Sequence, residues 1–247
     1  MARLSVNLNK VALLRNSRHT GVPDVLKFAR VAHDAGADGL TVHPRPDERH
    51  IRRSDVPALA ELMQPWRPQC ELNIEGYPDA RLLEIAREVR PEQCTLVPDL
   101  PGAFTSEEGW KLDGRDPTDV RPPIAELKRI GCRVILFVDP DQAVVERVPG
   151  SGADGIEIYT GTYAAACRAG DSGKELQACA ATAVRARERG LVVNAGHDLN
   201  LDNLPPLVAA MPFLAEASIG HELTADALVM GFADAVKAYK AALIPKN

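Results

Sequence analysis

Short apolar, β-branched runs recur along the chain and alternate with longer stretches of helical period. The runs are Leu4–Leu8, Gly39–His43, Glu71–Ile74, Thr95–Val97, Val134–Val138, Ile156–Tyr159, Leu191–Ala195 and Phe213–Ile219. Runs of this kind between amphipathic segments predict buried parallel strands. Val25, Phe28, Ala29 and Ala32 share one helical face, Ile124, Leu127 and Ile130 another, and Leu228, Phe232, Ala235 and Tyr239 mark the last helix. Gly36, Gly131 and Gly190 each follow a helical pattern and precede a strand, the place for a left-handed residue closing a helix. AGADGLTV (35–42) and SGADGIEI (151–158) repeat this helix-end, glycine, turn, strand pattern about half a chain apart.

Eight such units in 247 residues predict an α/β fold, a single (β/α)8 TIM barrel with extra helices spanning residues 1–247. An open doubly wound sheet is the rival. The absence of G-x-G-x-x-G after the first run, and the similar size of the units, favour closure. The longest irregular stretch runs from Pro98 to Pro117, a length typical of a functional lid or of a disordered segment.

Composition narrows the function classes. A net charge of −5 argues against a non-specific nucleic-acid or membrane-surface role. It leaves room for anionic substrates, which a few arginines and helix N-termini can hold locally. The five cysteines (Cys70, Cys94, Cys132, Cys167 and Cys179) contain no C-x-x-C pair and read as reduced thiols of a cytoplasmic protein. Cys70, Cys94 and Cys132 fall at strand starts and are expected in the core. No apolar run reaches the 18 or so residues of a spanning helix.

Polar and titratable residues gather at the C-terminal ends of the runs: Asn7, Asn9, His43, Glu75, Asp139, Glu157, Tyr159, Thr160, Asn194, His197, Gly220 and His221. In a barrel these ends meet at one mouth, where catalysis takes place. Any one of them reads equally well as a satisfied polar residue at a strand end; the set together points to a site. After His43 come Arg45, Arg49, His50, Arg52 and Arg53, a loop suited to phosphate or carboxylate. Two of these are expected to bind ligand and the rest to face water. VVNAGHDL and ASIGHEL place Gly-His after strands 7 and 8, where this fold commonly binds phosphate. His43, Glu75, Glu157 and His197 could converge on a metal, but no H-x-H or H-E-x-x-H is present, and proton transfer is the preferred reading. Lys10 is the lysine near a strand end, weak support for Schiff-base chemistry.

The segments SVNLNKVALLRNSR, GADGLTVHPRPDERHI, LVP, FVD, IEIYTG, VNAGHDL and SIGH together resemble the pyridoxine 5′-phosphate synthase family, from about residue 4 to the last helix. The resemblance implies a (β/α)8 barrel assembled as a homo-octamer, using neither metal nor organic cofactor. It implies condensation of 1-deoxy-D-xylulose 5-phosphate with 3-amino-2-oxopropyl phosphate into pyridoxine 5′-phosphate. His43 and Glu75 would be general bases and His197 the general acid. Asn7, Arg18, Gly220 and His221 would hold the aminoketone phosphate; Arg45, His50 and Thr105 the sugar phosphate, with the loop around Thr105 as lid. Asn9 and Lys10 stand where many members carry Asp-His, among the sugar-phosphate contacts. Asp198 stands where glycine is usual after the histidine; it would contact substrate through its backbone or cap the following helix.

The implied chemistry suits these residues. The substrate brings its own amine, so no catalytic lysine is needed. Imine formation, phosphate loss and dehydrative ring closure each move protons, which calls for several carriers around one cavity. The rivals are a metal-dependent phosphosugar aldolase or epimerase, and a non-catalytic phosphate-ligand-binding barrel.

Overall fold

The computed structural model describes residues 1–99 and 106–245. The elements in chain order are β1 (Arg3–Asn7), α1 (Asn9–Asn16), α2 (Val25–Asp34), β2 (Gly39–Val42), α3 (Asp55–Met63), β3 (Glu71–Gly76), α4 (Ala80–Val89), β4 (Gln93–Leu96), α5 (Arg121–Arg129), β5 (Arg133–Val138), α6 (Gln142–Val145), α7 (Val148–Ser151), β6 (Gly155–Tyr159), α8 (Gly161–Ala169), α9 (Gly173–Glu188), β7 (Val192–Gly196), α10 (Leu204–Ala210), β8 (Glu216–Ile219), α11 (His221–Met230) and α12 (Phe232–Ala242). The strands pair in sequence order, all parallel, and β8 returns to β1, with Val6 opposite Ile219. The sheet is therefore a closed (β/α)8 barrel. Among the described residues, no helix is long and apolar enough to cross a membrane.

The period of two in each strand separates two environments. Leu4, Val6, Leu40, Val42, Leu72, Ile74, Cys94, Leu96, Val134, Leu136, Val138, Ile156, Ile158, Val193, Ala195, Ala217 and Ile219 are buried under the helices and form the core. The residues between them point into the barrel, and there the expectation of otherwise apolar strands needs correction. Ser5, Thr41, Asn73, Thr95, Glu157, Asn194, Glu216 and Ser218 are all buried, and all polar. They satisfy one another: Ser5 Oγ lies 2.6 Å from Thr41 Oγ1, and Thr95 Oγ1 donates to Asn73 Oδ1 at 3.2 Å. Lower down, Gln93 Nε2 donates to Glu216 Oε1 at 3.0 Å, and Arg3 pairs with Glu71 at 2.6 Å. The polar set thus continues from the mouth down the barrel axis. Burial pushes the Glu216 carboxyl up to about 7.

The repeated GADG segments share a construction. Gly36 and Gly152 both take left-handed φ (+100° and +86°) where a helix ends. The aspartate that follows accepts the N–H of the second residue of a neighbouring strand: Asp38 Oδ2 from Leu4 at 2.7 Å, Asp154 Oδ2 from Val134 at 2.9 Å. Gly131 and Gly190 also have positive φ, as expected. Cys70, Cys94 and Cys132 are buried at strand starts.

Two boundaries differ from the pattern read along the chain. The eighth run shortens to Glu216–Ile219, because Phe213 turns outward and packs under the Arg187 guanidinium, 4.8 Å from its ring centroid. The last helix is two: Gly231 (φ +84°) breaks it, and Leu228 is 79 % exposed rather than on a core face. The irregular stretch after β4 is also more ordered than a free lid. Trp110 is buried, its Nε1 donating to Leu96 O at 2.9 Å. Gly109 lies so close to β5 that a Cβ would sit 2.3 Å from Val138 Cα. Thr105 and the proposed lid segment 100–105 lie outside the described residues.

Candidate active site

The strand ends place the candidate proton carriers together at one mouth. His43 follows β2 directly, Glu75 is the fifth residue of β3, and His43 Nδ1 stands 4.0 Å from Glu75 Oε2. Asn7, at the end of β1, donates from Nδ2 to Glu75 Oε2 at 3.3 Å. Its Oδ1 accepts the N–H of Asn9 at 2.9 Å, and Asn9 Oδ1 in turn accepts the N–H of His43 at 2.9 Å. Asn7 and Asn9 therefore link the tops of β1, β2 and β3, and the Asn9 oxygen is committed to the chain that carries His43.

His197 follows β7 with φ +89°. That backbone is held by buried Thr160, whose Oγ1 donates to Gly196 O at 2.6 Å and reaches His197 O at 2.7 Å. The Tyr159 ring meets the His197 ring edge-on at 5.1 Å. Glu157 is buried, with Oε1 where a Cβ on Gly196 would be only 2.2 Å away. Among the described residues, no hydrogen-bond partner reaches its Oε2. Glycine at 196 is thus required by close approach of a carboxyl, beyond turn chemistry.

Burial and charge set the proton affinities. Glu75 is pushed up to about 7 by loss of solvent, against the pull of Arg45 and His197. Glu157 is raised well above the carboxylate range, by burial first and then by Glu75 and Glu216. His43 is held well below the usual imidazole value, by burial and then by Arg45 and His50. His50 is lowered to about 4 by burial, then Arg45 and Lys10. At neutral pH His43 is a neutral imidazole able to accept a proton, and the raised proton affinity of Glu75 suits a general base.

Two places rich in hydrogen-bond donors flank these groups. On one side an open cleft of about 560 Å³ is lined by His43, Arg45, Arg49, Tyr77, Arg81 and Asp99, among others. Of the basic loop, Arg45 (6 % exposed) and His50 (9 %) are buried, Arg49 and Arg53 are half-buried and Arg52 is exposed. His50 Nδ1 accepts the N–H of Ile51 at 2.9 Å, which leaves its Nε2 as the donor. Arg45 is paired with Asp99 at 2.5 Å, and Ser106 Oγ donates to the same carboxylate oxygen. On the other side Gly220 leads into α11, with His221 as its first residue. No side chain caps that helix, so its first N–H groups are open to an anion. Gly220 packs on Asn7, where a Cβ would come within 3.0 Å.

Not every expected residue joins this set. Arg18 is exposed in the turn after α1 and is not among the cleft-lining residues. Lys10, in the first turn of α1, acts on the site through its charge on His50. Asp198 does not cap a helix: α10 begins only at Leu204, and Asn203 Nδ2 donates to the Asp198 carbonyl at 3.1 Å. Four contributors carried no motif that singled them out: Glu157, Thr160, Asp99 and Arg81. In the sequence Thr160 is visible only as a polar residue at the end of β6, and Glu157 as that and as a possible metal ligand. Arg81 sits on α4, donates to Pro44 O and, beside the cleft, presents a buried Nη2 that among the described residues has no hydrogen-bond partner and lies 3.8 Å from Glu48. Among the described residues no group of three or more His, Cys, Asp or Glu is arranged to hold a metal.

The comparison that decides the family is a match of residues 4–244 to the model of the pyridoxal phosphate biosynthesis protein PdxJ. The chain belongs to the PdxJ family. Pyridoxine 5′-phosphate synthase of Albidiferax ferrireducens is 50 % identical over 242 residues, covering 96 % of this chain and 95 % of that one. That of Brucella suis is 51 % identical over 250 residues, covering 98 % of each. Among solved structures, tryptophan synthase from M. tuberculosis (TM-score 0.65, 13 % identity, 98 % of this chain and 94 % of that one) shares the fold. So does phosphoribosyl anthranilate isomerase from Thermotoga maritima (TM-score 0.60, 16 % identity, 98 % of each chain). Within this PdxJ-family chain, His43, Glu75 and His197 share one mouth, each on a different strand end.

Proposed function

We infer that this PdxJ-family chain is a pyridoxine 5′-phosphate synthase, joining 1-deoxy-D-xylulose 5-phosphate to 3-amino-2-oxopropyl phosphate with release of phosphate and water. The observation that carries this reading is the meeting of His43, Glu75 and His197 at one mouth, with the Glu75 carboxyl raised by burial and the Arg45 cleft and the start of α11 on either side. The substrate amine condenses with the sugar ketone, water leaves, phosphate is eliminated, and ring closure with dehydration gives the pyridine. Glu75 and His43 take protons from carbon and nitrogen; His197 returns one to departing oxygen. The Arg45–His50 side suits the sugar phosphate. The open N–H groups of α11, with Gly220 and Asn7, suit the aminoketone phosphate. Asp99 occupies Arg45 until a phosphate competes for it.

Mixing the purified chain with both substrates is expected to give a pyridine chromophore and inorganic phosphate, equally with and without EDTA. Absence of product would sink the synthase reading, and binding of both phosphates without turnover would favour a binding barrel. Product formed only without EDTA would remove the metal-free mechanism.

Assembly as a homo-octamer belongs to the same proposal. Leu13 and Leu14 on α1 and Leu228, Val229 and Met230 at the end of adjacent α11 are exposed, Val229 by 91 %. An apolar surface of this kind marks a protein interface. Sedimentation velocity is expected to find an octamer; a monomer at micromolar concentration refutes the assembly.

A further inference from the structure

Asp198 stands beside the proposed general acid in the position where the resembled family usually carries glycine. It takes left-handed φ (+55°), directly after His197 at +89°. Aspartate tolerates that region better than most residues, but glycine adopts it without strain. The backbone is thus built for glycine, and the side chain is an addition. An extra carboxylate next to a phosphate site would repel the substrate unless it were turned aside and neutralised. Both conditions are met. Asp198 Oδ2 faces Arg168 of α8, whose Nη2 lies 3.7 Å away, and Nη1 of the same arginine lies 3.9 Å from Glu222 in the first turn of α11. Arg168 therefore balances the two carboxylates flanking the loops after β7 and β8. The other oxygen, Asp198 Oδ1, faces His197 Nδ1 at 3.4 Å. Contact with His197 holds the Asp198 carboxyl below its ordinary value, with Arg168 adding to the effect.

We propose that Asp198, steadied by Arg168, is a positioning residue that accepts a hydrogen bond from the Nδ1–H of His197, which turns Nε2 toward the substrate to take up a proton released earlier in the reaction and return it to departing oxygen. This rests on the reading of His197 as the general acid. An imidazole that donates through one nitrogen must have the other anchored, or its ring orientation and tautomer are left to solvent. The 3.4 Å separation is long for a hydrogen bond, as such contacts often are before substrate tightens the site. Thr160 fixes the backbone of His197, and Tyr159 bounds one side of its ring. Asp198 supplies a constraint on the nitrogen. A substrate phosphate at this loop is then contacted by backbone N–H, while the Asp198 side chain acts on the histidine.

The test uses Asp198→Gly, which restores the family's commoner residue, and Asp198→Asn, which keeps an oxygen acceptor at the same place. In Asp198→Gly, kcat is expected to fall at least tenfold, with KM for each phosphorylated substrate changed less than twofold and the melting temperature unchanged or raised, since left-handed strain is relieved. Asp198→Asn should recover part of kcat. A side chain that merely supported the fold would lower the melting temperature, and one that bound phosphate would raise KM. Long-range 1H–15N NMR of the His197 ring provides a readout independent of turnover: Nδ1 carries the proton in the parent chain, and Asp198→Gly shifts the ring toward a tautomer mixture. An unchanged tautomer with unchanged kcat overturns the proposal. If the parent chain forms no pyridine, the synthase reading fails, while the NMR result still decides whether Asp198 holds the ring.

Discussion

Replacing His197 by Asn is expected to lower kcat roughly a thousandfold, about 4 kcal/mol of lost transition-state stabilisation, the middle of the range for removing a general acid. The fold should survive. Asn tolerates the +89° φ that His197 adopts, and the Thr160 hydrogen bond goes to a backbone carbonyl that the substitution keeps. Both proposed anion-binding places lie on other residues, so KM should move by no more than a few-fold. Steady-state kinetics with each substrate varied, beside a circular-dichroism melt, separates these effects. Full activity in this variant would mean that another group delivers the proton, with Glu157, buried and raised toward its neutral form beside His197, the first to examine.

Glu75→Gln should be comparably damaging, with kcat down by a factor on the order of 10² to 10⁴, because the amide keeps the contact with Asn7 but takes no proton. Its pH signature identifies the cause. Glu75 acts as a base only when ionised, so parent activity should climb as pH rises through about 7. The residual activity of the variant should lack that limb. Stability should respond in the opposite sense. The folded-state pKa of Glu75 is raised above its ordinary 4.5, so its contribution to stability is fully present below pH 4.5 and is lost as pH rises through about 7. At pH 8 the parent carries a buried carboxylate that the variant does not. Glu75→Gln is therefore expected to melt higher than the parent at pH 8, by the equivalent of roughly 2–3 kcal/mol, and about equally at pH 4. A variant that melts lower at pH 8 would show Glu75 to be well solvated or paired when charged, and would remove the basis for its elevated proton affinity.

Much of this arrangement is already legible in the chain. Leu4, Val6 and Leu8, or Val134, Leu136 and Val138, lie at alternate positions of apolar runs and announce strands covered by helices. Gly36, Gly131 and Gly190 mark where helices stop, because an L-residue resists the backbone angle required there. His43, Glu75 and His197 stand out as polar residues where apolar runs end. Arg45 and His50 were separable as a kind of side chain, but only the loop's path selects them for burial over Arg52.

Other features have no local signature, since they depend on residues far apart in sequence meeting across the barrel. That Glu216 and Gln93 pair, 123 residues apart, follows from strand register. So does the burial of Glu157 against Gly196, which removes solvent and raises its proton affinity. Trp110, read as part of a lid, is instead anchored between β4 and β5 by a hydrogen bond to Leu96. Leu228 has helical spacing with Phe232 but faces solvent, because the break at Gly231 uncouples the two helices.

The sequence by itself determined the strand-helix alternation, the closed barrel and the end at which chemistry gathers, because hydrophobic period and helix-stop chemistry act over a few residues. Only the tertiary structure decided that the barrel is polar inside, which arginine and histidine are buried, where protons reside, and that Asp198 turns to His197 and Arg168. Proton affinity and pairing depend on how much solvent is excluded and which charge stands opposite, and both are set by parts of the chain that meet only once the barrel closes.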